Sequence, residues 1–302
     1  MTELSVARVA PARFRRGAAA GARQASRRDL VDRFATLLIW TSAAVAVAVL
    51  LIILGYVVVR GAPALNLEFF TQRPLPYGEV GGGVAPAILG TLTMLAVAAL
   101  IGIPIGVGTA IYLAEFGRGR FASLVRFVID LIAGLPSIVV GVFVWALLVR
   151  QIIGQYSGLA GAVALAIIMI PITTRVVEDI LRLVPDAIRE ASFALGVPRW
   201  KTILRIVLPT ARGGIVVGVV LSLARAGGET APLLLTALGN QFFSYDLLAP
   251  MAALPIQIYN YAVAPYDDWH TKAWGSALVL ISVIGLLSFA TRKIVGVSPN
   301  RR

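Results

Sequence analysis

The sequence predicts an all-α integral membrane protein with six transmembrane helices and both termini in the cytoplasm. Three observations carry that reading. Of 302 residues, 58% are hydrophobic and only 14% charged, whereas a soluble domain carries about a quarter charged residues. Mean hydropathy is correspondingly high, +0.86, and apolar runs of roughly the 20 residues needed to cross a bilayer recur along the chain. The basic residues between the runs alternate: with an inner N-terminus, 22 of the 27 Lys and Arg fall on one side, the asymmetry expected of cytoplasmic loops.

Residues 1–34 read as a basic cytoplasmic tail, with seven arginines against one acid in residues 1–28. The first run, Ala35 to Val59, is longer than the apolar stretch of a secretory signal and reads as an anchor. Five more follow, Ala85 to Leu113, Leu124 to Val149, Gly158 to Thr174, Gly213 to Leu238 and Ala273 to Ala290, and residues 291–302 close the chain as a second basic cytoplasmic tail. The stretch Leu247 to Ala264 is apolar enough to span, yet it holds Pro250, Pro255, Gln257 and Asn260. A seventh span would also move Arg292, Lys293, Arg301 and Arg302 outside, so 239–272 is assigned to the outer face.

Composition excludes other classes. A net charge of +12 suits a nucleic-acid binder only if it forms a basic face on a soluble fold, and here the charges lie between apolar runs. With no cysteine and one histidine, His270, there is neither a thiolate nucleophile nor a metal-ligand cluster. His270 sits in the polar stretch DDWHTK and reads as a solvated loop residue without a role. Gly102 with Gly106 and Gly214 with Gly218 have the spacing that lets membrane helices approach closely. Pro104, Pro136 and Pro171 fall inside spans and predict kinks or broken helices.

Two stretches stand out. The segment 176–212 is amphipathic, basic and broken by Pro185, Gly196, Pro198 and Pro209. These breaks predict short helices projecting from the membrane, a shape suited to docking in a groove of a soluble partner. The second is RAGGETAPLLL, 225–235, which places Arg225 and Glu229 in an apolar run. Counted from Gly213, Arg225 lies about 12 residues in, roughly 18 Å deep in a hydrocarbon core of about 30 Å. A lone charge there costs roughly 2.5–3.5 kcal/mol, so it pairs or faces a cavity. Gly227, Gly228 and Pro232 argue against a regular helix, and an unwound segment frees backbone N–H groups toward an anion.

The first stretch carries a resemblance. Glu190, Ala191 and Ser192, then Gly196, then Ile206, Leu208 and Pro209 follow the pattern EAA, three residues, G, nine residues, I-x-L-P, with serine for the third alanine. This resembles the coupling loop of bacterial ABC-importer permeases. GTLTMLAVAALIGIPIGVGTAIYLAEF (90–116), DLIAGLPSIVVGVF (130–143), ARAGGETAPLLLTA (224–237) and PMAALPIQIYNYA (250–262) are similar to phosphate-specific permeases of the PstA type. Its sister, the PstC type, reads GETMAV where this chain has GETAPLL. The resemblance covers Ala85 to Ala290 and leaves the first 34 residues outside it.

It implies a type I ABC-importer fold that translocates inorganic phosphate by alternating access across the bacterial cytoplasmic membrane. The implied partners are a PstC-type permease as heterodimer mate, a cytoplasmic ATPase dimer holding ATP and Mg, and an extracytoplasmic phosphate-binding protein. Consistently, none of the three lysines, Lys201, Lys272 and Lys293, follows a glycine as a phosphate-cradling GxxxxGK[ST] loop requires. Carried over residue by residue, the resemblance puts Arg225 and Glu229 on the phosphate path; Gly227, Gly228 and Thr230 belong to the same stretch, and Arg175, at the inner end of the fourth span, is a weaker path candidate by position, the alternative being a side chain that snorkels to the interface. Alternatives are a permease for sulfate, molybdate or phosphonate, and an ion-gradient-driven transporter, which leaves the coupling pattern unexplained.

Overall fold

The computed structural model describes residues 12–76 and 79–294; residues 1–11 of the N-terminal tail and 295–302 of the C-terminal tail lie outside the described residues. Twelve α-helical segments follow one another: α1 (Ala12–Gly61), α2 (Leu67–Thr71), α3 (Ala85–Ile111), α4 (Arg120–Gly134), α5 (Ser137–Val144), α6 (Gly158–Arg182), α7 (Asp186–Ala194), α8 (Arg199–Thr202), α9 (Leu208–Gly227), α10 (Ala231–Thr236), α11 (Leu254–Val263) and α12 (Asp267–Ile294). Among the described residues five helices are long and apolar enough to cross a membrane, and the bent pair 120–134 with 137–153 makes a sixth when counted as one span. The only β pairing among the described residues is two isolated bridges, Pro74 with Gly82 and Leu238 with Met251.

The chain divides into two units, 1–56 and 57–302. The first is the arm of α1, whose Leu37, Trp40 and Ile52 are exposed, as befits a helix that is apolar on every side. The helix begins at Ala12, so much of the stretch read as a tail is helical. In the second unit α3 packs most extensively on α6, and α6 on α9. The glycine pairs explain how. A Cβ on Gly106 would lie 2.8 Å from that of Thr173, and one on Gly214 would lie 2.3 Å from Cγ2 of Ile180. Only glycine permits those approaches, and dispersion contacts then replace a hydrophobic driving force that lipid does not supply. The Nε of Arg126 donates to Glu178 at 2.9 Å and Nη2 of Arg182 at 2.6 Å, tying α4 to α6.

The break expected at Pro136 is present: the third run, Leu124 to Val149, bends by 103° between α4 and α5. Pro136 is the cause, because it drives the preceding Leu135 out of helical geometry, to ψ 137°. Pro104 and Pro171, by contrast, stay inside helices. The fifth run, Gly213 to Leu238, starts earlier and stops sooner: the spanning helix covers Arg199–Gly227, and α6 runs on to Arg182. The short helices α7 and α8 lie inside the predicted segment 176–212, whose two ends are helical continuations of α6 and of the helix that leads into α9. Charge does not reveal those helix ends, because a helix keeps its form where it leaves the apolar layer. His270, finally, belongs to the first turns of α12, where Nε2 meets the carbonyl of Ala264 at 2.6 Å; it joins α12 to the end of α11 and is no loop residue.

The connections sort to the two ends of the second unit. At one end, Gly158 N donates to Ala249 O at 3.0 Å, Leu159 N to Leu247 O at 2.7 Å and Lys272 Nζ to Gly81 O, gathering the segments assigned to the outer face. Leu254, Ile256 and Tyr261 of α11 are buried there while Tyr259 is half exposed. The opposite end holds 117–119 and 183–198.

Candidate functional site

Arg225 stands in the last turn of α9. The helix ends there because Gly227 and Gly228 stabilise it poorly and Pro232, whose ring would clash with a carbonyl four residues back, forbids continuation through Gly228. The chain closes instead with tighter bonds, Gly228 N to Arg225 O at 3.3 Å and Glu229 N to Ala226 O at 3.2 Å. It resumes as α10 with proline in the first turn. Across this break Nη2 of Arg225 meets Oε1 of Glu229 at 3.0 Å, with side chains 62% and 9% exposed respectively. The carboxylate is thus the buried member of the pair and the guanidinium the presented one.

The second broken helix faces the first. A Cβ on Gly141 of α5 would lie 2.7 Å from Cα of Pro232, so the backbones of α5 and α10 touch. Beside this contact is a cavity of about 70 Å³ lined by, among others, Leu135, Ser137, Pro171, Ile172, Arg225 and Glu229, room for a few waters or one small oxyanion. Ile172 is 14 residues from the start of α6 and 10 from its end, roughly 21 and 15 Å. The cavity therefore lies level with the middle of α6, although the helix carrying Arg225 does not start where the sequence reading placed it.

Arg175 does not line this cavity. It lies one turn beyond Ile172 and pairs with Asp130 of α4, both side chains about half exposed. Asp130 went unnoticed in the sequence, yet it is the sole acid between Arg120 and Arg150, the same signal of a charge inside an apolar run that marked Arg225. Gly227 is buried, its missing Cβ 3.2 Å from the side chain of Ile284. Gly228 is exposed and Thr230 half buried.

The projecting segment is a helical hairpin. After α7, Gly196 at φ 75° takes the left-handed position of a Schellman turn, with Val197 N on Ser192 O at 3.2 Å and Gly196 N on Phe193 O at 2.9 Å. Nothing lies within 4 Å of where its Cβ would be, so the backbone angle alone demands glycine. The departure at Ser192 has a structural use: its hydroxyl bonds that of Thr202 at 2.8 Å, closing α7 against α8 in a buried contact. Glu190 and Ala191 face outward beside exposed Phe193, Leu195 and Trp200. Ile206 lies in a π-turn, 203–207, joining α8 to α9, and Leu208 and Pro209 open α9. The seven residues of the sequence pattern thus split into an outward tip and a packed base. Among the described residues there is no cluster of three metal-ligating side chains.

Comparison with known proteins gives the family and the fold. The family described as binding-protein-dependent transport system inner membrane component matches residues 102–299. The phosphate transport system permease protein PstA of Pasteurella multocida (strain Pm70) is 46% identical over 241 residues, covering 80% of this chain and 85% of its own. PstA 1 of Mycobacterium tuberculosis (strain CDC 1551 / Oshkosh) is 41% identical over 280 residues, 91% and 92% of the two chains, so the likeness extends beyond Ala85 to Ala290. Among solved structures, the inward-facing methionine ABC transporter MetNI superposes with a TM-score of 0.60 at 22% identity, over 70% of this chain and 94% of that one.

Proposed function

Because this chain belongs to the binding-protein-dependent inner membrane components, and within them to the PstA permeases of phosphate transport systems, it is the membrane-spanning permease subunit of a phosphate importer, and we propose that Arg225 and Glu229 form its phosphate path. The single observation that supports this path is the cavity beside the two broken helices, where a presented arginine and a buried carboxylate meet level with the middle of α6. Arg225 lowers the electrostatic barrier to an anion; Glu229 holds the guanidinium and keeps the anion from binding too tightly to leave. Gly227, Gly228 and Thr230 form the break that sets Arg225 and Glu229 beside the cavity, and Arg175, paired with Asp130 one turn beyond Ile172, receives the ion on the inner side.

In the same reading the hairpin tip, Glu190, Ala191 and Gly196 with Phe193, Leu195 and Trp200, docks in a groove of a separate cytoplasmic ATPase, which holds ATP and Mg. A PstC-type permease completes the membrane pore, and an extracytoplasmic phosphate-binding protein delivers cargo to the end that carries α11. Both termini are cytoplasmic. The test is purification in mild detergent followed by reconstitution. The chain should bring down an ATPase and a second permease, and vesicles given the binding protein should take up phosphate but not sulfate or molybdate when ATP is supplied. Vanadate-sensitive hydrolysis by the purified chain alone, or uptake independent of ATP, refutes the division of labour.

A further inference from the structure

We propose that Glu115 is the positioning residue through which the hairpin moves α3, and through α3 the break between α9 and α10; the proposal rests on the permease reading above. Glu115 lies in the π-turn 112–116 that ends α3, its side chain 6% exposed. Both arms of the hairpin grip it. From α7, Arg189 donates to the carboxylate through Nη2 at 2.7 Å and through Nε at 3.2 and 3.3 Å, a forked contact with defined direction. From α8, Arg199 donates to the backbone carbonyl of the same residue and lays its guanidinium over the ring of Phe116 at 4.5 Å. The hold on Arg189 is itself tight, since its Nη2 also donates to Leu181 O at 2.9 Å and its Nη1 meets Asp186 at 3.1 Å.

The other end of the connection is at the site. Leu95, 20 residues before Glu115 in the chain and so about 30 Å up α3, is buried, with Cδ2 3.7 Å from the Cβ position of Gly227. Between these points the glycine contacts at Gly102 and Gly106 seat α3 on α6. An apolar contact between hairpin and α3 would transmit a push but would open under a pull. The Arg189 fork resists displacement both ways, so α3 follows the hairpin as it returns as well as when it advances. Sequence patterning does not show this pair, because the partners lie 74 positions apart and Glu115 sits among apolar residues at the end of a span.

The experiment measures phosphate transported per ATP hydrolysed in vesicles containing the full complex and the binding protein, for wild type, Glu115→Gln and Arg189→Lys. Glu115→Gln keeps the size of the side chain and removes the charge; its ratio should fall about tenfold, within the range that coupling residues reach, while the ATPase subunit stays bound in wild-type amount. Arg189→Lys, which keeps charge but loses the fork, should fall between the two. An unchanged ratio in either variant overturns the proposal. So does loss of the ATPase subunit from the Glu115→Gln complex, since Glu115 would then shape the seat and not the transmission. Failure of the wild-type complex to transport phosphate overturns the permease reading instead.

Discussion

Replacing Arg225 with glutamine separates two roles that the structure superimposes. Glu229 would remain as an unpaired carboxylate with its side chain 9% exposed. Removing one partner of a buried pair costs about 3–5 kcal/mol, and because Arg225 is itself mostly exposed the lower end, about 3 kcal/mol, applies. Glu229→Gln leaves only an exposed guanidinium without its mate, at a cost of about 1 kcal/mol or less. The double variant leaves no stranded charge, so its stability should return to within about 1 kcal/mol of wild type. Transport should follow another order. A guanidinium about 4 Å from a passing anion attracts it by about 4 kcal/mol at an effective dielectric of about 20. Retaining even about 1.4 kcal/mol of that at the barrier changes the rate tenfold. Arg225→Gln and the double variant should therefore both lose phosphate uptake by about tenfold or more, while only the first loses thermal stability in detergent. Normal uptake by Arg225→Gln at normal membrane abundance, or uptake regained in the double variant, refutes the path role and leaves a purely structural bridge.

Two further outcomes follow from the hairpin. At Gly196 the cost is purely conformational, so stability should decline in the order Gly, Asn, Ala, Val, with Ala about 1–2 kcal/mol below glycine and Asn less penalised because it tolerates positive φ; melting of the solubilised protein that ranks Val with Asn would contradict this. The hydroxyls of Ser192 and Thr202 meet at 2.8 Å, so their side-chain tips share one buried contact, and the chain has no cysteine of its own. Ser192→Cys with Thr202→Cys should therefore cross-link on mild oxidation, seen as the loss of free thiol, and the coupled complex should stay active because the hairpin moves as one body.

Much of the fold was legible because the bilayer imposes one rule on all spans: length and apolarity announce them, and loop charge orients them. The break after Gly227 was visible for a local reason, since glycine and proline act on their own backbone. What escaped was of another kind. Glu115 and Glu178 take partners on other helices, Arg189 and Arg126, and separations of 74 and 52 residues leave no periodic trace. Ser192 looked like a neutral replacement for alanine because its partner, Thr202, stands on the next helix. That the fifth spanning helix already begins at Arg199 was not legible, because basic residues mark where a segment lies and not whether it is helical.

The seat of Gly141 on Pro232 has a kinematic meaning. Where helices meet through side chains, rotamer changes let one slip past the other by fractions of a turn, and a site between them can be adjusted piecemeal. Here a Cβ would come within 2.7 Å of a backbone carbon, and neither glycine nor the proline ring has a rotamer to exchange. The two short helices are therefore geared at this point: a tilt of α5 carries α10 with it, and with it the wall of the cavity that Ser137 and Val140 share with Glu229.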